Sequence, residues 1–596
     1  MTVKDQAPSS ADCYSPLDPN LAQFRTIVLL PGVWSDPIHC QLKVHSLDNA
    51  PRYETISYAW GDPQDTRQII VDGAHLAIPS SLELCLRHLR SSESALTDLW
   101  ADAICIDQTN LEERSIQVSN MGAVYWRCSD MYIWLGMPVQ PTGSRSPFDM
   151  VMHWAEGKHF YQYPGFSRSK DSGRWVFHEN PEYQQMFEMF TDLTSKPWWG
   201  RLWCVQEIAL CPAATIVMGT WRVPWATIVG ALQTYYRHAS SCCADASAVM
   251  PAKYTYFSDH LLFLLQQSDP TGLDYVFRAF RHKLCKDPRD KIYGLLGLLW
   301  KNRPVNLRPD YLLPVGKVYL QATEAIIAQS AGDLQFLTGL GLNSDCYHLP
   351  SWIRNFAAPL TTVKASYEHS RYRRYSYYQA SAGTKSDLSI TDGTLGLTGV
   401  LADRIERVGM SIQDRDWINI WTALQNWADV AGLPALGQDS VHGSLQQHFW
   451  RTIMADVYPR NVSNNSWDRI STPAYVSIEE LFLETINHLR QGLEPPVTTP
   501  VQALFSATYG RAFFRTELGH FGLCFPDACP GDEVWVLAGG RVPFVLRALN
   551  EATVPAAQTD TGSKSFKLIG ECYLHGFMDG EALSTHDYTM TPIYLK

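Results

Sequence analysis

The run LWCVQEIAL, Leu202 to Leu210, sets Gln206 and Glu207 among residues that leave water readily. An unpaired buried carboxylate costs on the order of several kcal/mol, comparable with the whole stability margin of a domain. Glu207 therefore either has a partner, for which Arg201 and Arg114 are the sequence candidates, or it lines a surface that acts on a ligand. A second polar group, Ser57, Tyr58 and Trp60, ends the β-rich run YETISYAW at 53–60, just before the turn signal Gly61-Asp62-Pro63. A third lies around LWADAICI at 99–106, where Asp102 interrupts a run of strand length and Asp107 and Gln108 follow it. Asp102 in a buried strand needs a partner, and Arg114 is again the candidate.

Other constellations carry less. His153 and His159 bracket Glu156, but five intervening residues place the two rings on different helical faces, so they read as surface histidines. The 14 Cys residues include no CxxC, and Cys242-Cys243 and Cys524/Cys529 are read as lacking His or Cys partners at zinc-ligand spacing. The expectation is free thiols in a reducing compartment and no metal. A Walker loop, GxSxG, and GxGxxG in a strand-to-helix setting are all missing from the sequence. The Tyr- and Arg-rich run at 367–378, YEHSRYRRYSYY, reads as a solvated helix or loop face.

The elements that must position the first three groups follow from periodicity. In RQIIVDGAHLAIP, two apolar runs flank Asp72-Gly73, the pair that a type I′ hairpin requires because both central residues take positive φ. SSLELCLRHLRSS sets Leu82, Cys85, Leu86 and Leu89 at helical spacing, with Ser80 or Ser81 as candidate N-cap. LWADAICI is expected as a strand covered on both faces, LEERSIQVSNMGAVYWRC as a helix and MYIWLG as a further strand. Alternating strands and helices imply a parallel sheet, and functional groups in such sheets gather at the carboxyl ends of the strands. The turn KDPRDK at 286–291 reads as a hinge. Helical patterns dominate 221–493 apart from a β-rich interruption near 386–407, a Pro-rich linker occupies 494–500, and 501–596 reads as a small β-rich unit.

Length, charge and composition bound the classes. At 596 residues the chain exceeds one ordinary core, and 45% hydrophobic content with 20 Trp describes packed domains rather than extended disorder. A formal charge of -11 supplies no overall basic field for nucleic acid or an anionic membrane. The start has neither a signal-peptide nor a transit-peptide pattern, and the longest apolar runs fall short of a membrane span. A cytoplasmic protein is the expectation.

Three blocks, YETISYAWGDP, LWADAICIDQTNLEERSIQVSNMGAVYWRCSDMYIWLG and WWGRLWCVQEIAL, resemble in this order the blocks that define the fungal heterokaryon-incompatibility (HET) domain. CKDPRDKIYGLLGL, LPSWIRNF and GDEVWVLAGGRVPFVLR resemble the downstream parts of large HET proteins, while Asp107 departs from the Asn more usual in the second block. The resemblance implies a HET domain over 53–220 with an insertion at 138–190, after an extension at 1–52. The HET domain is regarded as similar to the TIR domain, which implies a flavodoxin-like parallel sheet here. It also matches Glu207 to the catalytic Glu of NAD-cleaving TIR domains. NAD is then the implied substrate, Ser57, Tyr58, Trp60 and Trp203 the implied binding residues, and Asp102, Asp107, Gln108, Arg114, Arg201 and Gln206 the supporting ones. Cleaving the nicotinamide-ribose bond creates an oxocarbenium-like ribosyl cation that a fixed carboxylate stabilises, while nicotinamide leaves as a neutral molecule. Such a site requires Glu207 to face an open cleft beside Ser57. The implied role is an effector of self/non-self recognition and programmed cell death, acting with a protein partner or by self-association. The alternatives are a non-catalytic adaptor and a HET scaffold recruited to a small-molecule reaction.

Overall fold

A computed structural model of the chain describes residues 13–139, 145–239, 241–243, 246, 272–299, 307–339, 341–342, 346–414, 416–436, 444–461, 466–470, 485–491, 493, 499–549, 564–584 and 589–596. Of the linker expected at 494–500, residues 494–498 lie outside these residues, as does the start of the helical pattern SIEELFLETINHLRQG, while Thr499 and Pro500 open the helix Thr499–Thr508. The chain divides into two compact units, Met1–Thr271 with Lys283–Leu313, and Gly272–His282 with Pro314–Lys596.

The first unit is built on a sheet whose strands are β1 (Gln23–Leu29), β2 (His39–Ser46), β3 (Glu54–Tyr58), β4 (Thr66–Val71), β5 (Ala74–Pro79), β6 (Leu96–Trp100), β7 (Asp130–Trp134), β10 (Ala214–Met218) and β11 (Trp221–Pro224), with a separate ribbon of β8 (Phe166–Arg168) and β9 (Trp175–Phe177). The nine strands of the sheet stand in the order β11-β10-β7-β3-β6-β1-β2-β4-β5. Strands β6, β3, β7 and β10 are mutually parallel neighbours. Numbered along the chain, these four stand in the order 2-1-3-4, as do the first four strands of flavodoxin-like sheets. The sheet as a whole is mixed: β1 lies antiparallel to β6 and β2, and β5 and β11 close the two edges antiparallel to their neighbours.

Local sequence explains most of these elements. Asp72 and Gly73 take φ of 48° and 85°, so the hairpin turn forms as expected and places β4-β5 at the sheet edge. Helix α1 (Ser80–Leu89) buries Leu82, Cys85 and Leu86, but neither serine caps it; Pro79 holds the N-cap position and Ser80 hydrogen-bonds to Asp65. LWADAICI is not one strand. It leaves β6 after Trp100 and turns into the short helix α2 (Asp102–Cys105), so Asp102 sits in a helical first turn just beyond a strand end. Helix α3 (Leu111–Arg127) follows, capped by Asn110, whose side chain accepts from the N–H groups of Glu112 and Glu113. The expected extension 1–52 contributes β1 and β2 to the same sheet. KDPRDK lies within the stretch 283–313 that packs with this unit, rather than forming a hinge outside it.

The second unit combines helices, among them Val315–Ser330, Thr362–Arg374 and Trp417–Ala431, with a sheet that closes on itself. It contains β12 (Ser389–Thr391), β13 (Thr394–Ser411), a ribbon of β14 (Val457–Asn461) and β15 (Ser466–Arg469), then β16 (Ala512–Thr516), β17 (Phe521–Cys524), β18 (Glu533–Leu537), β19 (Phe544–Ala548), β20 (Lys564–Glu571), β21 (Tyr573–Leu574) and β22 (Thr591–Leu595). Pairings β13-β18, β18-β19, β19-β20, β20-β22 and β22-β13 complete a ring. The β-rich unit at 501–596 is thus closed by a strand from 394–411. The run at 367–378 is not a solvated face: Arg371, Arg374, Tyr375 and Tyr378 are buried and, with Arg511 and Glu571, line a cavity. Burial alone would raise the Glu571 carboxyl, but Arg511, Tyr375 and the Gly339 N–H bond to it and hold it below the usual range.

One buried ion pair ties the first unit together. Arg25, 1% exposed on β1, donates to both oxygens of Glu113 at 2.6 and 3.1 Å and to the carbonyls of Ser15 and Cys105, while Glu113 also accepts from the Asp107 N–H at 2.9 Å. Removing one partner of such a pair strands the other charge. Glu113→Ala is expected to destabilise the protein by about 3–5 kcal/mol, read as a lowered denaturation midpoint by tryptophan fluorescence, with Glu113→Gln losing less.

Candidate functional site

Two carboxylates converge on the carboxyl end of β3. Its last residues, Ser57 and Tyr58, pair with Ile133 and Trp134 of β7, at the point where the parallel order changes direction and where ligands bind in open α/β sheets. Ser57 Oγ donates to Glu207 Oε2 and accepts from the indole N–H of Trp198 at 2.6 Å. Glu207 reaches Ser57 from α6 (Trp203–Leu210), which packs on α3, and Trp198 comes from the 3-10 turn Pro197–Gly200 that leads into α6. Tyr58 and Trp60 donate to the two oxygens of Asp102 at 2.9 and 3.0 Å, and the Ala103 N–H adds a third bond at 2.8 Å.

The electrostatics set the two acids apart from ordinary surface carboxyls. Burial pushes the Glu207 carboxyl up to about 7, against the pull of Arg201 and of the Ser57 and Cys204 donors. Asp102 is also raised by burial, opposed by Arg201, Tyr58 and Trp60. The Arg201 guanidinium makes no direct ion pair with either acid among the described residues, yet their charges, with the Cys204 thiol, outweigh burial and hold it firmly protonated. A carboxyl poised near neutrality can take or give a proton at physiological pH. Ionised, it can face a developing cation.

The fold places the remaining sequence candidates as follows. Gln206 is a lock: its Oε1 accepts from the Gly297 N–H at 3.0 Å, and a Cβ on Gly297 would lie 2.5 Å from the Gln206 amide. Trp203 is pinned to the buried Asp290 at 3.2 Å, and Tyr311 holds the other Asp290 oxygen at 2.7 Å. Gln108 donates to the Asp102 carbonyl, and Asp107 accepts from Thr109 to shape the loop before α3. Arg114 meets neither Asp102 nor Glu207. It lies over the Tyr311 ring, 4.3 Å from the centroid, and the expected pair with Asp102 is replaced by neutral donors.

Access differs from the expectation too. Ser57 and Glu207 are 1% and 2% exposed, so the pair is covered rather than facing an open cleft, while Trp60 at 37% forms an exposed rim beside Asp102. Trp198 and Cys204 join the site without having been expected there; the Trp-Trp-Gly block ahead of α6 was the available signal for the first.

The site's own titration is measurable. Because the folded Glu207 titrates near 7 against an ordinary value of 4.5, it favours the folded state at low pH, and that contribution is lost as pH rises through about 7. Glu207→Gln is expected to gain stability relative to wild type between pH 4.5 and 7, by up to about 3 kcal/mol, and to stay level above that range. Denaturant titrations across pH check this; a difference independent of pH contradicts the assignment.

Comparison with known proteins accords with these two units. Residues 53–207 match the family described as Heterokaryon incompatibility protein (HET), and residues 483–590 match the Het-6 beta-barrel domain. The chain is 25% identical to Heterokaryon incompatibility protein 6, OR allele, of Neurospora crassa, over 97% of this chain and 96% of that protein. No solved structure matches it. Among the described residues no helix is long and apolar enough to cross a membrane. The HET match thus carries β3, α2, α3 and the start of α6, and the barrel match carries β18, β19 and β20 of the closed ring, so residues 53–207 are a HET domain.

Proposed function

We propose that this protein is an effector of heterokaryon incompatibility, coupling recognition of a protein partner or of a second copy of itself to cell death, and that its HET unit cleaves NAD through Glu207. The observation that carries the chemical part is the Ser57–Glu207 pair at the carboxyl end of β3, with a carboxyl tuned near neutrality. The 2-1-3-4 order of the central parallel strands agrees with a TIR-like origin for this arrangement. In this reading the pair rests covered. Activation draws Ser57, with the Trp198 bonded to it, off Glu207; the freed carboxylate meets the ribosyl cation as the bond to nicotinamide breaks, and water then adds to that ribose carbon and gives up a proton. Trp60, exposed and held by Asp102, supplies a face for a planar ring at the rim.

A second reading, a non-catalytic adaptor, is favoured by the 2% exposure of Glu207 and by its hydrogen bond to Ser57. One experiment separates them. Purified full-length protein, at concentrations that permit association, is incubated with NAD and nicotinamide release is followed. The enzymatic reading expects release that increases as pH rises through about 7, falls about a hundredfold or more in Glu207→Gln, and increases in Trp198→Phe. Absence of release from wild type and Trp198→Phe alike leaves the adaptor. Growth arrest on overexpression in a fungal host separates them in cells: the enzymatic reading expects Glu207→Gln to abolish it, the adaptor expects it to persist.

A further inference from the structure

Apart from the carboxylate pair, the first unit gathers His159, His238, Cys242 and Cys243, whose nearest donor atoms all lie within 4.8 Å of one another. His159 follows helix α4 (Asp149–Ala155) in the segment inserted between β7 and α5 (Pro181–Ser195). His238 lies in the last turn of α7 (Trp225–Ala239), and the two cysteines sit in the turn beyond it. His159 Nδ1 is 3.3 Å from Cys243 Sγ and 3.4 Å from Cys242 Sγ; His238 Nδ1 is 3.6 Å from each sulfur; the sulfurs are 3.9 Å apart. Both thiols are free, and their separation is far beyond a disulfide bond.

Five of the six edges match one polyhedron. With Zn–S near 2.3 Å and Zn–N near 2.05 Å, a tetrahedral ion sets sulfur–nitrogen edges at about 3.6 Å and the sulfur–sulfur edge at about 3.8 Å. The five edges that include a sulfur fall within about 0.3 Å of those values, while the sixth, between the imidazole nitrogens, lies within 4.8 Å and closes to about 3.3 Å as an ion seats. Thiols are weak hydrogen-bond donors, so two thiols and two imidazoles turned toward one point gain little from one another without an ion. Burial raises the Cys243 thiol, and backbone groups of Phe160 and Tyr161 that hydrogen-bond to its sulfur oppose this. His159 is oriented by stacking on Tyr161 at 4.7 Å, and its carbonyl meets Nε2 of His153, which is buried rather than the surface histidine expected, at 3.1 Å. Neighbours of this kind fix the direction of a metal ligand.

From this geometry we infer that His159, His238, Cys242 and Cys243 form a tetrahedral Zn2+ site that pins the inserted segment to the end of α7. Two thiolates neutralise the ion, two imidazoles complete the shell, and four protein ligands leave no position for substrate, so the role is structural. Binding displaces a proton from each cysteine into solvent and changes no oxidation state. The expectation of no metal rested on the lack of partners within a short motif. His238 stands four residues before Cys242, and the fourth ligand lies 83 residues upstream of it.

Elemental analysis of the full-length chain, purified under reducing conditions with zinc and then dialysed, tests the site. About one zinc per chain is expected, lost in Cys242→Ser/Cys243→Ser and retained in Cys346→Ser, whose thiol is exposed elsewhere. Replacing zinc by Co2+ in wild type is expected to give thiolate-to-cobalt charge-transfer absorption, a readout that needs no variant to fold. A chain folded by circular dichroism that takes up neither ion overturns the inference. So does stoichiometric metal that persists in a folded double variant.

Discussion

The first unit depends on satisfying acids that its sheet removes from water. Glu207 and Asp102 reach the carboxyl end of β3 from two different connections, α6 and α2, and each is met there by a neighbour on the strand, Ser57 or Tyr58. The bonds come mostly from neutral donors, with Arg201 acting only through its field. Neutral donors lower the cost of burial without forcing ionisation, which leaves a carboxyl able to change charge near neutral pH. A direct guanidinium partner would have fixed Glu207 as an anion. The Arg25–Glu113 pair shows that alternative a short distance along the chain, where the demand is to hold β1 against the loop before α3.

Much of this was legible in local pattern. Asp72-Gly73 specified its hairpin because two adjacent positive φ angles admit few residue pairs, and α1 announced itself through Leu82, Cys85 and Leu86. The apolar run LWCVQEIAL left two outcomes open for Glu207, a partner or a ligand-facing surface, and the fold gives it Ser57 as a partner. What local pattern could not supply was the partner of each polar group. Arg114 looked suited to Asp102, yet the fold laid it on Tyr311, whose position is set by a segment nearly two hundred residues downstream. LWADAICI has the composition of a strand throughout, but Asp102 favours a helical first turn, and the chain turns there.

The misread segments share a physical cause. The 367–378 run is polar by composition, and polar runs are usually solvated, yet Arg371 and Arg374 are drawn inside by backbone carbonyls of Tyr509 and Ser506, acceptors that composition cannot reveal. Likewise β1 and β2 precede the family blocks and carry no motif, but supply the strands between β6 and the hairpin. The covered state of Glu207 belongs in the same class. An open cleft was expected; that Ser57, itself held by Trp198, would meet the carboxyl instead was not readable.

Strand β13 contributes to four pairings, with β12 and β22 over its first part, β18 over its middle and β16 toward its end. Because side chains alternate sides along a strand, inserting or deleting a single residue there would turn the downstream half inside out against two neighbours together. The length of this segment is therefore a stricter specification than its composition. Where related chains differ in size, the tolerated gaps belong in the connections outside 394–411, and a frame-preserving deletion within it would unseat the ring as a whole.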